Sequence, residues 1–283
     1  MKKIFWVASY PRSGNTWVRS ILASLFFTDD GKFEFSFLKH IPLLDRKQNY
    51  EFVKNINIED FNNLNNIKNI SKYWYEVQKL AKVNDKFGFF KTHSANITVD
   101  NKFHYVNKDF TNGIVLIIRD PRDVVVSFSK HLNISIDETI NVVINNNAVI
   151  KSGNDAESLP MMHLNWEQFY LSWLSLDIPI LVIKYEDIIA NTHLSIENIV
   201  DYFENNFDLK IKNKEIKIKN ILESTNFKNM QGMEKKYGFK ELKTGLFFRK
   251  GETMQWKKAL TKKQVVIIEQ NFTNLMNKFG YFQ

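Results

Sequence analysis

The chain has 283 residues, of which 44% are hydrophobic and 25% are charged, and its formal net charge is +8. This length and composition fit one large globular domain better than two small ones. The absence of cysteine excludes disulfides, thiolate metal sites and cysteine nucleophiles, and the positive charge favours an anionic ligand without identifying it.

Four short apolar runs predict buried parallel strands, because they are continuous rather than alternating: residues 4–8, 87–90, 114–118 and 180–183. Helical periodicity lies between them, from Trp17 to Phe26, from Met162 to Leu174 and over residues 263–279. This order predicts one α/β domain over residues 1–283, with a central parallel sheet flanked by helices. A polar cluster follows each strand, so the four clusters predict one shared site at the carboxyl edge of the sheet.

Two long connections, residues 28–86 and 132–160, carry no clear pattern and are predicted to be lids or acceptor-binding segments. No apolar run is long enough to span a membrane or to form the core of a signal peptide. The sequence therefore predicts a cytoplasmic protein without a transmembrane segment.

The loop after the first strand has the composition of an anion cradle. Gly14 permits close backbone approach, Arg12 adds a forked cation, and Ser13 and Thr16 add hydroxyl donors at a helix N-terminus. An ordinary strand–turn–helix connection is the alternative. The loop is P-loop-like but is not a Walker loop, because Asn15 stands where the lysine would be.

Two further strand ends carry candidate functional groups. Arg119 ends the third strand and Ser127 follows eight residues later, so both could reach one phosphate; a salt-bridged helix start is an equally good interpretation. Lys91 and His93 point the same way along an extended segment, which places a cation beside a base. A lone histidine is more often structural than catalytic.

Together these segments resemble the three signatures of the nucleotide-dependent sulfotransferase family, at residues 9–17, 119–127 and 249–257 and in the family's order. The resemblance implies 3′-phosphoadenosine-5′-phosphosulfate (PAPS) as sulfuryl donor and no metal. It implies that the 5′-phosphosulfate is held by a P-loop-like loop of Arg12, Ser13, Gly14, Asn15 and Thr16. It implies that the 3′-phosphate is held by Arg119, Ser127, Arg249, Lys250 and Gly251, and that adenine is contacted by Trp17, Tyr185, Thr225, Phe227 and Met230.

The third signature departs from the family pattern, since Met254 and Gln255 replace a Gly-Asp pair. Methionine takes a glycine-only conformation at a cost, so this loop is expected to carry strain or a different shape. The first signature has Arg12 where the cytosolic enzymes have lysine, which keeps the charge but changes the reach.

The family's Lys-x-His element matches Lys91 and His93, and implies His93 as general base, with Lys91 and Arg12 stabilising charge on the bridging oxygen. The second product would be 3′,5′-bisphosphoadenosine (PAP). The expected acceptor is a hydroxyl or amine of a small molecule, lipid or glycan, and not a nucleic acid. The alternatives are a nucleotide or small-molecule kinase, a nucleic-acid-binding module and a degenerate, non-catalytic nucleotide binder. The family's dimer motif fails at Lys262, so no oligomeric state is predicted.

Overall fold

The computed structural model describes residues 3–54, 56–57, 59, 66–81, 83, 87–150, 157–239, 241 and 246–282. The strands are β1 (Ile4–Ser9), β2 (Gly88–Thr92), β3 (Thr98–Val99), β4 (Phe103–His104), β5 (Thr111–Ile118), β6 (Val149–Ile150), β7 (Met161–Met162) and β8 (Ile180–Lys184). The helices are α1 (Asn15–Phe27), a 3₁₀ helix (Phe35–His40), α2 (Lys47–Tyr50), α3 (Ile67–Ser71), α4 (Trp74–Leu80), α5 (Pro121–Leu132), α6 (Ile136–Val143), α7 (Trp166–Leu174), α8 (Tyr185–Ala190), α9 (Thr192–Phe207), α10 (Lys214–Ser224), α11 (Phe227–Tyr237), α12 (Trp256–Ala259) and α13 (Lys262–Lys278).

The central sheet has the strand order β2-β1-β5-β8, and all of its pairs are parallel. Trp6 lies opposite Phe90 on one side and Ile114 on the other, which fixes the register of the two inner pairs. The predicted α/β class with a central parallel sheet is therefore confirmed. The second strand extends further than predicted, because Lys91 and Thr92 still pair with β1.

Side chains of β1 alternate between two hydrophobic cores on opposite faces of the sheet. Trp6 and Ala8 pack into one core with the aromatic residues of α7, whereas Phe5 and Val7 pack into the other with α1 and α9. All four side chains are fully buried. Burial of each large apolar side chain contributes about 1.5–3 kcal/mol, so the two helical layers hold the strand ends in fixed positions.

Helix boundaries follow local capping chemistry. Pro121 opens α5, and the Asp120 side chain caps it by accepting a hydrogen bond from the Arg122 amide. Helix α7 begins at Trp166 and not at Met162, because the Asn165 side chain caps the helix and Met162 pairs with Val149 in a short antiparallel ladder. None of the helices in the described ranges is both long and apolar enough to cross a membrane.

Candidate active site

A cavity of about 1540 Å³ lies at the carboxyl ends of the parallel strands. It is lined by all but one of the residues predicted from the sequence: Arg12, Gly14, Asn15, Thr16, Trp17, Lys91, His93, Arg119, Ser127, Tyr185, Thr225, Phe227, Met230, Arg249, Lys250 and Gly251. The remaining one, Ser13, is fully buried beside the loop, and its Oγ lies 3.3 Å from the Tyr170 hydroxyl. Its side chain therefore supports the loop from behind and does not reach the cavity.

The loop between β1 and α1 is built to expose backbone donors. Arg12 and Gly14 both have left-handed conformations, with φ of 66° and 97°. Gly14 is the N-cap of α1, and no side chain caps this helix end. The side-chain amide of Asn15 points back to β1, where its Nδ2 donates to the Val7 carbonyl and to Ser9 Oγ at 3.2 Å each. The helix N-terminus with its positive dipole end thus faces the cavity, which is the geometry of an anion site.

Close packing at Gly14 shapes the floor of this site. A Cβ on Gly14 would lie 2.6 Å from Cδ2 of Tyr185, so no other residue fits without movement of that ring. The guanidinium of Arg119 covers the Tyr185 ring at 4.2 Å from its centroid, and Trp17 meets the ring edge-on at 6.1 Å. The indole Nε1 of Trp17 is buried without a hydrogen-bond partner among the described residues.

Three guanidinium groups concentrate positive charge on one side of the cavity. Arg12 donates from Nε to Ser127 Oγ at 3.2 Å, and Arg119 donates to the Arg12 carbonyl at 3.1 Å. Burial lowers the pKa of Arg12 most, the charges of Arg119 and Arg249 act in the same direction, and the result is about 10. Within the described ranges, the Nε of Arg119 is buried without a partner. This concentration of cations with an unsatisfied donor is suited to a bound polyanion.

The third signature forms a loop that is hydrogen-bonded to α5. The Asp123 carboxylate accepts hydrogen bonds from the amides of Met254 at 2.7 Å and Trp256 at 3.0 Å. Met254 has a φ of 57°, so it takes the left-handed conformation for which a glycine would be favoured. Gly251 is also left-handed, and a Cβ there would collide with the Phe227 ring. Met254 therefore takes a backbone conformation that is costly for a residue with a side chain, and the hydrogen bonds to Asp123 hold the loop in this course.

The catalytic candidate His93 is held in one tautomer. Its Nδ1 lies 2.8 Å from the Ser9 carbonyl, which can only accept, so Nδ1 carries the proton and Nε2 carries the lone pair. Burial, followed by the charge of the neighbouring Lys91, lowers the pKa of His93 to about 4. His93 is therefore neutral at pH 7 and can accept a proton at Nε2.

Lys91 is joined to two charged residues that were not predicted from the sequence. Its Nζ lies 2.8 Å from Oε2 of Glu241, and the other oxygen of Glu241 lies 2.8 Å from Nη1 of Arg19. Burial lowers the pKa of Lys91 to about 8. No local pattern signals this cluster, because Glu241 is 150 positions from Lys91 along the chain.

Residues of both long connections also wall the cavity, and several of them are apolar, including Leu43, Val142, Val149 and Ile150. His163 also lines the cavity and was not predicted as a site residue. Its Nδ1 lies 2.8 Å from the Leu164 carbonyl, and burial lowers its pKa to about 4. The cavity therefore combines an apolar wall with the cationic groups around Arg12.

Comparison with known proteins agrees with the geometry. A plant enzyme, the flavonol 3-sulfotransferase of Flaveria bidentis, is 22% identical over 94% of this chain and 79% of its own length. The structure of mouse sulfotransferase SULT7A1 complexed with PAP matches 97% of this chain and 84% of its own chain, with a TM-score of 0.60 at 20% identity. Retinol dehydratase, in complex with androsterone and the inactive cofactor PAP, matches 96% of this chain and 81% of its own chain, with a TM-score of 0.59 at 20% identity.

The family model of the sulfotransferase domain matches residues 2–280, which is nearly the whole chain. That match spans the three signatures as well as the long connections between them. The chain therefore belongs to the sulfotransferase family of enzymes.

Proposed function

We propose that this enzyme transfers the sulfuryl group of PAPS to a hydroxyl group of a small, largely apolar acceptor, with His93 as general base. The observation that carries the proposal is the meeting of a three-arginine anion site and a neutral, tautomer-fixed histidine in one cavity. An anion site alone would suit any nucleotide. The adjacent base and the apolar wall add what a transfer to a weakly nucleophilic hydroxyl requires.

The residues around the anion site fit a nucleotide that carries phosphate groups at both the 5′ and the 3′ positions of its ribose. Residues 12–16 would hold the 5′ end with backbone amides and the Arg12 guanidinium. The 3′-phosphate would be bound by Ser127, by the unpartnered Nε of Arg119, and by the loop from Arg249 to Gly251. Mouse SULT7A1 and retinol dehydratase, which share the fold, were both crystallised with PAP.

The adenine would lie among the aromatic and apolar residues at the same end of the cavity: Trp17, Tyr185, Thr225, Phe227 and Met230. The buried and unpartnered Nε1 of Trp17 is a donor that a base nitrogen or ribose oxygen could satisfy. Stacking of a base on such side chains contributes about 1–3 kcal/mol, comparable to a charged hydrogen bond.

When bound, PAPS supplies an activated sulfuryl group whose leaving group is PAP. His93 Nε2 accepts the proton of the acceptor hydroxyl, and the hydrogen bond of Nδ1 to Ser9 keeps the ring in the required orientation. Lys91 lies in β2, and His93 follows two residues later on the same side of the extended segment. The Lys91 ammonium therefore lies beside the base and can stabilise negative charge on the transferring oxygen atoms. Arg12 does the same from the loop side.

Two features favour a small apolar acceptor over a lipid or glycan. Apolar residues of both long connections line the cavity, whose volume of about 1540 Å³ suits a small molecule beside the nucleotide. The names of the related proteins refer to a flavonol, to androsterone and to retinol, each of which bears an oxygen function on a largely apolar skeleton. A kinase is disfavoured, because Asn15 stands where a Walker loop has its lysine. The side-chain amide of Asn15 donates back to β1 instead of reaching a phosphate.

The test is radiolabelled transfer from PAPS to a panel of phenols and alcohols, with His93→Ala as the matched enzyme. We expect transfer by the wild type and a loss of about 10²–10⁴-fold in the variant, because the general base is removed. PAP affinity of the variant, measured by calorimetry, is expected to stay within about threefold of the wild type. Equal transfer rates for both proteins would contradict the assignment of the base.

A further inference from the structure

Three charged side chains from separate parts of the chain meet beside the candidate base. Arg19 comes from α1, Lys91 from β2, and Glu241 from the segment that follows α11. Each carboxylate oxygen of Glu241 pairs with one cation at 2.8 Å. The carboxylate therefore bridges the helix that begins at the anion loop and the strand that leads to His93.

The Arg19 end of this bridge is firmly anchored. The Arg19 side chain is 2% exposed, and its Nη2 donates to the Leu38 carbonyl at 3.2 Å. It is five residues beyond Gly14, on the same helix whose N-terminus faces the cavity. Glu241 is thus tied to α1 through Arg19, and its second oxygen can orient the Lys91 ammonium.

The Lys91 end is the electrostatically sensitive one. The charged and titratable groups that act on Lys91 are Arg19, Arg46, His93 and Glu241. Among these Glu241 alone is negative. Burial lowers the pKa of Lys91 most, the two arginines lower it further, and the charge and hydrogen bond of Glu241 oppose them, with a result of about 8. In the part of the chain that the structure describes, the other influences on Lys91 are burial and the two arginine charges, and all of them disfavour the ammonium form.

We propose that Glu241 is a positioning residue that holds the Lys91 ammonium beside His93 and keeps it charged for its role at the transferring group. The catalytic meaning of this pair rests on the proposed function, but the pairing itself rests on the geometry of Arg19, Glu241 and Lys91. Loss of the carboxylate has two consequences. The Lys91 side chain loses the partner that orients it, and it becomes neutral at a lower pH.

The direct test is the titration of Lys91 itself by heteronuclear NMR on lysine-labelled protein, with the resonance assigned by its loss in Lys91→Arg. We expect the Lys91 midpoint to fall by about 1–3 pH units in Glu241→Gln, since this is the usual effect of losing an opposite charge at contact distance. Glu241→Asp keeps the charge and is expected to stay within about one unit of the wild type. Glu76→Gln removes a half-exposed carboxylate that pairs with Lys79 at 3.8 Å, and it serves as the control with no shift at Lys91.

A second readout uses the donor without any acceptor. Calorimetric affinities of PAPS and PAP are compared between about pH 6 and 9.5, a range that covers the Lys91 titration. We expect the pH at which PAPS loses affinity relative to PAP to fall in Glu241→Gln and to stay unchanged in Glu76→Gln. An unchanged Lys91 titration in Glu241→Gln would overturn the role of Glu241. Failure of the wild type to bind PAPS and PAP would overturn the proposed function instead, so the two failures are distinguishable.

Discussion

Gly14→Ala is expected to damage both the fold and the donor site. Position 14 has a φ of 97°, and an added Cβ would lie 2.6 Å from the Tyr185 ring. A left-handed conformation costs an L-residue about 1–2 kcal/mol, and overpacking adds about 1–3 kcal/mol. The sum is about 2–5 kcal/mol of unfolding free energy, part of which is relieved only by moving Tyr185 away from Arg119.

The matched control is Gly232→Ala, at an interior position of α11 where an added Cβ has open space. Alanine is favoured over glycine in a helix by about 1 kcal/mol, so this variant is expected to be slightly more stable than the wild type. Thermal unfolding and PAP calorimetry are measured on all three proteins. We expect Gly14→Ala to melt at least about 4 °C lower and to bind PAP about 10–100-fold more weakly. Wild-type melting and wild-type PAP affinity in Gly14→Ala would refute this account of the loop.

Three further variants test separate parts of the structure. Met254→Gly should raise the unfolding free energy by up to about 1 kcal/mol in urea titration, because it relieves a left-handed methionine whose side chain is 55% exposed; lower stability would contradict the strain. Asp123→Ala should destabilise the protein by about 1.5–3 kcal/mol for each lost hydrogen bond to its carboxylate and should weaken PAP binding through the loop at Met254 and Trp256; unchanged PAP affinity would argue that this loop does not hold the ligand. Burial raises the pKa of Asp45 to about 6, so the folded state binds this proton more tightly than the unfolded state, and stability should fall as the pH rises from about 4 to 6. Asp45→Asn should flatten that part of the pH profile, and an unchanged slope would assign it to other groups.

Residues whose roles depend on local pattern could be predicted from the sequence. The continuous apolar runs give the strands because both faces of a parallel sheet are buried, as Phe5 and Trp6 show by packing into opposite cores. Polar residues at the carboxyl ends of those strands meet in one cavity because parallel strands end at the same edge. The start of α7 was mispredicted, since a helical spacing from Met162 says nothing about the cap at Asn165 or the ladder with Val149.

Features that depend on distant contacts could not be predicted. The inward turn of Ser13 is set by the Tyr170 hydroxyl, 157 positions away along the chain. The Glu241 bridge joins two segments that share no sequence signal, and its effect on Lys91 is visible only once the side chains are placed. The tautomer of His93 likewise depends on the Ser9 carbonyl, whose position follows from the pairing of β1 with β2.

The central claim is that the cavity is built for a nucleotide phosphorylated at both the 5′ and 3′ positions. The most direct measurement is calorimetric titration with PAP, and with ADP plus magnesium, of the wild type and of Arg119→Ala, with thermal unfolding used to verify that the variant is folded. We predict that the wild type binds PAP at least about 100-fold more tightly than ADP and that the variant loses this preference, because we propose that the buried, unpartnered Nε of Arg119 binds the 3′-phosphate. Equal affinity for the two nucleotides, or no binding of PAP by the wild type, would contradict the account.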